Sequence, residues 1–274
     1  MNMKRGNFLF IAVLLAVSPL LSALNAGDRP TVSVAGNPFL VDGEPTYKGR
    51  YWKGNKVEGL LLNARLVQGV FDDENPETRV LFKYPDTGVW DADRNTNEFV
   101  AAMSVWHEYG LNSFTVNMQG GSPTGYGNKA WRNSGFTEKG ELKPAYLDRL
   151  TRILNRAEEL KMVVILGYFY FGQDQYLEDE QAIVRAVDGL TDWLLDKGYG
   201  NVLVEINNEC DVRSYNHDIL KPDRVHELIK RVKSKPRAGR RLLVSTSFGG
   251  RSIPNDHIVA VSDYVLIHGN GVKE

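Results

Sequence analysis

The strongest constraint on the fold is an alternation along the chain. Apolar runs at 60–71 (LLLNARLVQGVF), 111–118 (LNSFTVNM), 162–171 (MVVILGYFYF), 202–206 (VLVEI), 242–248 (LLVSTSF) and 264–268 (YVLIH) are separated by segments of helical periodicity. Several runs are apolar at successive positions, which suits strands covered on both faces. Between them, Leu147, Leu150, Ile153, Leu154, Ala157 and Leu160 fall on one side of a helix whose first position suits Pro144. Ile183, Val187, Leu190 and Leu194 do the same in a second helix that ends at Gly198, and Asn95 with Glu98 has the spacing of a capping box ahead of Phe99, Met103 and Trp106. Strands alternating with helices predict a parallel α/β fold, either an open doubly wound sheet or a (β/α)8 barrel.

The strand ends favour the barrel. No GxGxxG or GxxxxGK[ST] loop follows the first run, as an open nucleotide-binding sheet would often show. Each run instead turns polar at its C-terminal end: Gln68, Asp72 and Asp73; Asn117 and Gln119; Tyr170, Gln173 and Asp174; Asn208 and Glu209; Ser247; His268 and Asn270. A barrel enzyme builds its site from polar groups gathered there. The runs number six and the sequence stops at Glu274, so the expected fold is an incomplete (β/α)8-type barrel over 57–274. Ahead of it, 27–56 reads as a β-hairpin, with Gly-Asn-Pro and Asp-Gly as turn signals. Residues 1–26, with Lys4 and Arg5, an apolar run and small residues up to Ala26, have the form of a signal peptide, with an uncleaved anchor as the alternative. A secreted or periplasmic protein is expected, free of the membrane after cleavage.

Composition narrows the partners. Lys plus Arg is 33 against 34 for Asp plus Glu, a net charge of -1, so no global field attracts nucleic acid or an acidic membrane. The one basic run, 221–241, carries Val225, Leu228, Ile229 and Val232 at helical spacing and reads as a solvated amphipathic helix. Cys210 is the single cysteine, which excludes an intrachain disulfide and a zinc site built on cysteine.

The segment 202–212, VLVEINNECDV, passes from a buried strand into Glu205, Asn207, Asn208, Glu209 and Asp211. Carboxylates are costly to bury without partners, so such a change marks a candidate site. Here the chain resembles the clan of retaining glycosidases on a (β/α)8 barrel, and is similar to the cellulase and mannanase family, glycoside hydrolase family 5. The likeness lies in NPFLVDGEPTYKGRYWKG for the opening hairpin that closes the barrel floor, WHEYGLNSFTVN and AEELKMVVILGYFY for the second and third strands, and VLVEINNE for the fourth-strand pattern E-x-x-N-E.

The resemblance implies a carbohydrate substrate, no cofactor, a monomer once the barrel is complete, and Glu209 as acid/base. Glycosidic cleavage needs a carboxylic acid to protonate the leaving oxygen and, in retaining enzymes, a second carboxylate about 5 Å away to attack the anomeric carbon. Asn208 is expected to bind a sugar hydroxyl and His268 to line the cleft. Asn117, Gln119, Tyr170, Gln173 and Arg65 are further substrate-binding candidates, and Glu205 is expected to pair with Arg65. The sequence departs from the family where its second-strand arginine would stand, at Thr115, and at Asn270 in place of a tyrosine. The family's nucleophile lies on a seventh strand, and no residue here matches it. Two other functions remain open: a non-catalytic carbohydrate-binding barrel, and a metal-dependent hydrolase using Glu209, Asp211 and His268.

Overall fold

The structure, a computed structural model, describes residues 29–123, 130–250 and 252–269. The expected leader at 1–26 and Asn270 lie outside the described residues. The chain opens with an antiparallel sheet of β1 (Val32–Val34), β2 (Phe39–Val41) and β3 (Glu44–Pro45), followed by a separate hairpin of β4 (Tyr51–Trp52) and β5 (Asn55–Lys56). The single hairpin expected over 27–56 is thus a three-stranded meander plus a hairpin. Two turns cause this: Asp42 and Gly43 take φ of 52° and 80°, and Lys53 and Gly54 take 46° and 79°. Left-handed residues at both central positions match the twist of a tight hairpin.

The barrel wall begins at β6 (Ala64–Arg65), which alone of the run 60–71 pairs as a strand. The rest of that run turns, with Gly69 N–H donating to Leu66 O and Phe71 N–H to Gln68 O. A short helix α1 (Pro76–Arg79) precedes α2 (Ala92–Glu108), whose cap is Asp91, accepting from Arg94 N–H at 2.9 Å. The capping box read at Asn95 and Glu98 is therefore misplaced by a turn. Asn95 lies within the helix and donates to Gln68 O at 3.0 Å, while Glu98 accepts from Arg94.

There follow β7 (Ser113–Asn117), α3 (Pro144–Glu159), β8 (Val163–Phe169), α4 (Glu180–Lys197), β9 (Val202–Asn207), α5 (Val225–Lys233), β10 (Leu243–Ser245), β11 (Ser247–Phe248), α6 (Asp256–Val259) and β12 (Leu266–Ile267). Pro144 opens α3, and Gly198 closes α4 in the left-handed conformation, both as the sequence predicts. Strands β6 to β10 form one parallel sheet in order of sequence. The run 242–248 changes neighbour at Thr246: β10 pairs with β9, whereas β11 pairs with β12. The result is an α/β barrel arc of six strands that does not close among the described residues.

Side chains divide by strand alternation. Val164, Leu166 and Val204 face outward onto Leu150, Ile153, Leu154, Leu190 and Leu194 of the helices. Val163, Ile165 and Leu203 face inward with Tyr264 and Leu266, and Val32, Phe39, Val41 and Leu61 pack beneath them. Each fully buried aliphatic side chain contributes about 1.5–3 kcal/mol. Val32 N–H donates to Gly200 O just before β9, which seats the small sheet at the N-terminal ends of the strands and leaves the C-terminal ends as the open mouth. Among the described residues, no helix is long and apolar enough to cross a membrane.

Candidate active site

Parallel register sets the inner row below the mouth. Asn117 lies opposite Gly167, Gly167 opposite Glu205, and Glu205 opposite Ser245. Glu205 is fully buried. Burial pushes its carboxyl above the ordinary range, against the opposing influence of Arg65, His268 and a hydrogen bond from Ser247 Oγ. The expected direct pair of Glu205 with Arg65 is not formed: Arg65 acts on it only through space, and its guanidinium is engaged elsewhere.

Glu209 stands one turn beyond the strand, with φ of 50°. A non-glycine residue there costs on the order of 1 kcal/mol or more and has to be held by its surroundings. Three bonds from its backbone amide and those of its neighbours hold it. Asn208 N–H donates to Phe169 O at 3.1 Å, Glu209 N–H to Ser247 Oγ at 2.8 Å, and Cys210 N–H to Ser247 O at 2.9 Å.

The Glu209 carboxylate meets the last strand. His268 Nδ1 lies 2.8 Å from Glu209 Oε1, and Arg65 Nη1 lies 2.7 Å from His268 Nε2. The same Nη1 lies 3.3 Å from His268 Nδ1, so the guanidinium rests against the ring between its two nitrogens while Nδ1 meets the Glu209 carboxyl. The ring is nearly buried, its side chain 5% exposed against 15% for Glu209. First, fourth and sixth strands thus converge on one carboxylate that still reaches the mouth. Asp211, the third group of the metal reading, is instead occupied by Gly249 N–H and Ser252 Oγ–H.

The remaining expected residues divide between wall and opening. Tyr170 and Arg65 line a pocket of about 280 Å3 with Val67, Gln68, Ser122 and Trp131. Gly120, with φ of 71°, lets the chain pass Tyr170, since a Cβ there would come within 2.5 Å of the tyrosine Cβ. Gln119 and Gln173 are buried and brace the wall: Gln119 Nε2 donates to Ser134 Oγ at 3.0 Å, and Gln173 accepts from Asn133 N–H and donates to Trp131 O. Asn117 and Asn208 are buried as well. Neither the side-chain amide of Asn117 nor the Oδ1 of Asn208 has a hydrogen-bond partner in the protein among the described residues. Asp73 and Asp174 serve turns, the first accepting from Asn75 and Arg132 N–H and the second from Asn216 and His217 N–H.

Thr246, Ser247 and Tyr215 had no site role in the sequence reading beyond the mention of Ser247 as a polar strand end. Thr246 Oγ1 donates toward Asn207, and Tyr215 OH donates to Asn208 O at 2.6 Å. The available signal was the polar triplet Ser245–Thr246–Ser247 inside an otherwise apolar run.

No protein-family model matches the chain, and no curated protein matches it in sequence. Solved structures do. A protein of Bacteroides vulgatus ATCC 8482 assigned as a glycoside hydrolase aligns over 89% of this chain and 44% of its own, with a TM-score of 0.50 and 14% identity. An endo-1,4-beta-mannanase from Eisenia fetida aligns over 83% and 64% at a TM-score of 0.47 and 13% identity. A GH5-4 broad specificity endoglucanase from Ruminococcus flavefaciens aligns over 69% and 58% at 0.40 and 14%. The chain spans less than half the length of the Bacteroides protein. That first likeness shows the fold, an arc of the (β/α)8 barrel found in glycoside hydrolases.

Proposed function

We propose that this chain is a secreted glycoside hydrolase acting on a β-linked poly- or oligosaccharide, with Glu209 as the acid/base of a retaining mechanism. One observation carries the reading: at the C-terminal mouth of a glycosidase-type barrel, a partly open carboxyl is held in a strained turn and oriented by a hydrogen bond with the His268 ring. Such an acid donates its proton to the leaving oxygen and later takes one from water. Arg65, whose Nη1 lies 2.7 Å from Nε2 and 3.3 Å from Nδ1, holds the ring in place beside Glu209. Tyr170 and Trp131 line the pocket beside the mouth, though both are largely buried against Phe171 and Phe71.

Glu205 does not present itself as the attacking carboxylate. It is fully buried and already takes a hydrogen bond from Ser247. That feature favours a second reading, a barrel that binds carbohydrate without cleaving it. The two separate on Glu209→Gln. If Glu209 is the acid, the variant loses about 10²–10⁴-fold in turnover of natural glycosides but little on substrates whose leaving groups need no proton. Equal loss on both substrate kinds refutes the acid role, and saccharide binding with no turnover by the unaltered protein selects the second reading. Export rests on the leader at 1–26, and the mass of material recovered outside the cytoplasm should correspond to a start near Gly27.

A further inference from the structure

The turn that carries Glu209 is shaped less by its own strand than by the next one. Ser247, on β11, is fully buried and makes three hydrogen bonds, two to the turn and one to the strand before it. Its Oγ accepts the Glu209 N–H at 2.8 Å, its carbonyl accepts the Cys210 N–H at 2.9 Å, and its hydroxyl proton goes to Glu205 Oε1. A hydroxyl has one proton and two lone pairs, so donation to Glu205 leaves Oγ as an acceptor toward the Glu209 amide. The buried carboxylate thereby orients the hydroxyl, and the hydroxyl holds the left-handed turn.

The structure assigns Ser247 as the positioning residue of Glu209: a buried hydroxyl, oriented by Glu205, that holds the Glu209 backbone in the strained conformation from which its carboxyl meets His268. A backbone carbonyl could bind the Cys210 amide whatever the side chain, but only a side-chain acceptor here satisfies the Glu209 amide. Glu205 gains a role as well, as the buried acceptor that fixes the hydroxyl. The strain at Glu209 has its restraint, and the Ser-Thr-Ser interruption of an apolar strand has a reason. The catalytic meaning of the assignment rests on Glu209 being the acid/base proposed above, whereas the positioning does not.

The test therefore begins without substrate. In Ser247→Ala, amide hydrogen exchange at Glu209 should quicken by about tenfold, the loss of one hydrogen bond. Exchange at Asn208 and Cys210, whose acceptors are the backbone carbonyls of Phe169 and Ser247, should stay within about twofold. The hydroxyl also works against the upward push of burial on the Glu205 carboxyl, so its removal should shift the Glu205 midpoint, followed by carbon NMR, to higher pH. The charged and titratable groups that face this carboxyl are Arg65, His268 and Glu209, with Tyr215, Cys210 and Tyr264 packed around it.

Ser247→Thr, which keeps the hydroxyl, should return both readings toward those of the parent. If the alanine variant does not fold, Ser247→Cys keeps the volume with a weak thiol and should show the same two changes. Unchanged exchange at Glu209 together with an unmoved Glu205 midpoint overturns the assignment, as does a folded threonine variant that behaves like the alanine one. Where the parent turns over a glycoside, Ser247→Ala should lower kcat by up to about 10²-fold with KM held, the signature of a displaced group rather than lost binding. Failure of that last arm alone, with exchange and titration as expected, removes the acid/base reading and leaves the positioning intact.

Discussion

Gly167 sits in the middle of the inner row, and replacing it with alanine tests how tightly that row is packed. Its backbone is ordinary strand, so alanine meets no conformational penalty there. A Cβ would press on Asn117 Oδ1 and lie 2.8 Å from its Cγ, inside any van der Waals distance. Asn117 is fully buried and has little space to retreat. Overpacking of this kind costs about 1–3 kcal/mol, and the lesser freedom of alanine in the unfolded chain offsets about 0.4–1 kcal/mol of it. Gly167→Ala should therefore destabilise by about 1–2 kcal/mol, read as a fall in the urea midpoint at constant m-value. The cause is checked by Asn117→Ala, which removes the obstructing amide. In that background the glycine substitution should cost less than about 0.5 kcal/mol or stabilise, a coupling of roughly 2 kcal/mol between the two sites. An unchanged parent midpoint, or an equal cost in both backgrounds, would show that the row is loose and the packing argument wrong.

Gly140→Ala should be worse, about 3 kcal/mol by thermal unfolding, because φ is 81° and a Cβ would lie 2.7 Å from the Ala182 carbonyl carbon at the start of α4. Tyr264→Phe removes a buried hydroxyl that donates to Val204 O at 2.7 Å and should cost about 1–3 kcal/mol while leaving the inner apolar cluster in place. Asp263 gives a pH signature. Burial works to raise its carboxyl, but hydrogen bonds from Arg241, Val244 N–H and Lys233 together hold it below the ordinary 3.8. A depressed carboxyl contributes stability that is present above its unfolded value and lost as pH falls through the folded one. Asp263→Asn should thus lower the Tm near neutrality, and the gap to the parent should narrow below about pH 3.8 in melts across the acid range.

The pattern of apolar residues settled what local physics can settle. Periods near two and near 3.6 show which segments pair as strands and which coil, and Pro144 and Gly198 mark helix ends because ring closure and the missing Cβ act within one residue. The alternation implied a parallel α/β fold, the polar strand ends favoured a barrel, and the turn from apolar to acidic at 205–209 marked where chemistry would gather. Which polar strand ends would share the mouth was not legible. Gln68, Asp73, Gln173 and Asp174 looked no different from Glu209 in sequence, yet most of their oxygens and amides close turns or brace loops. The strand run at 60–71 shrank to two paired residues because its latter half turns on itself. The contacts that make the site join residues 203 positions apart for Arg65 with His268 and 38 apart for Ser247 with Glu209. Such pairs depend on strand register around the barrel, which the pattern of one strand does not contain. A shift of one residue would turn Glu205 away from Ser247 and onto the helices, so only the assembled wall decides which groups meet.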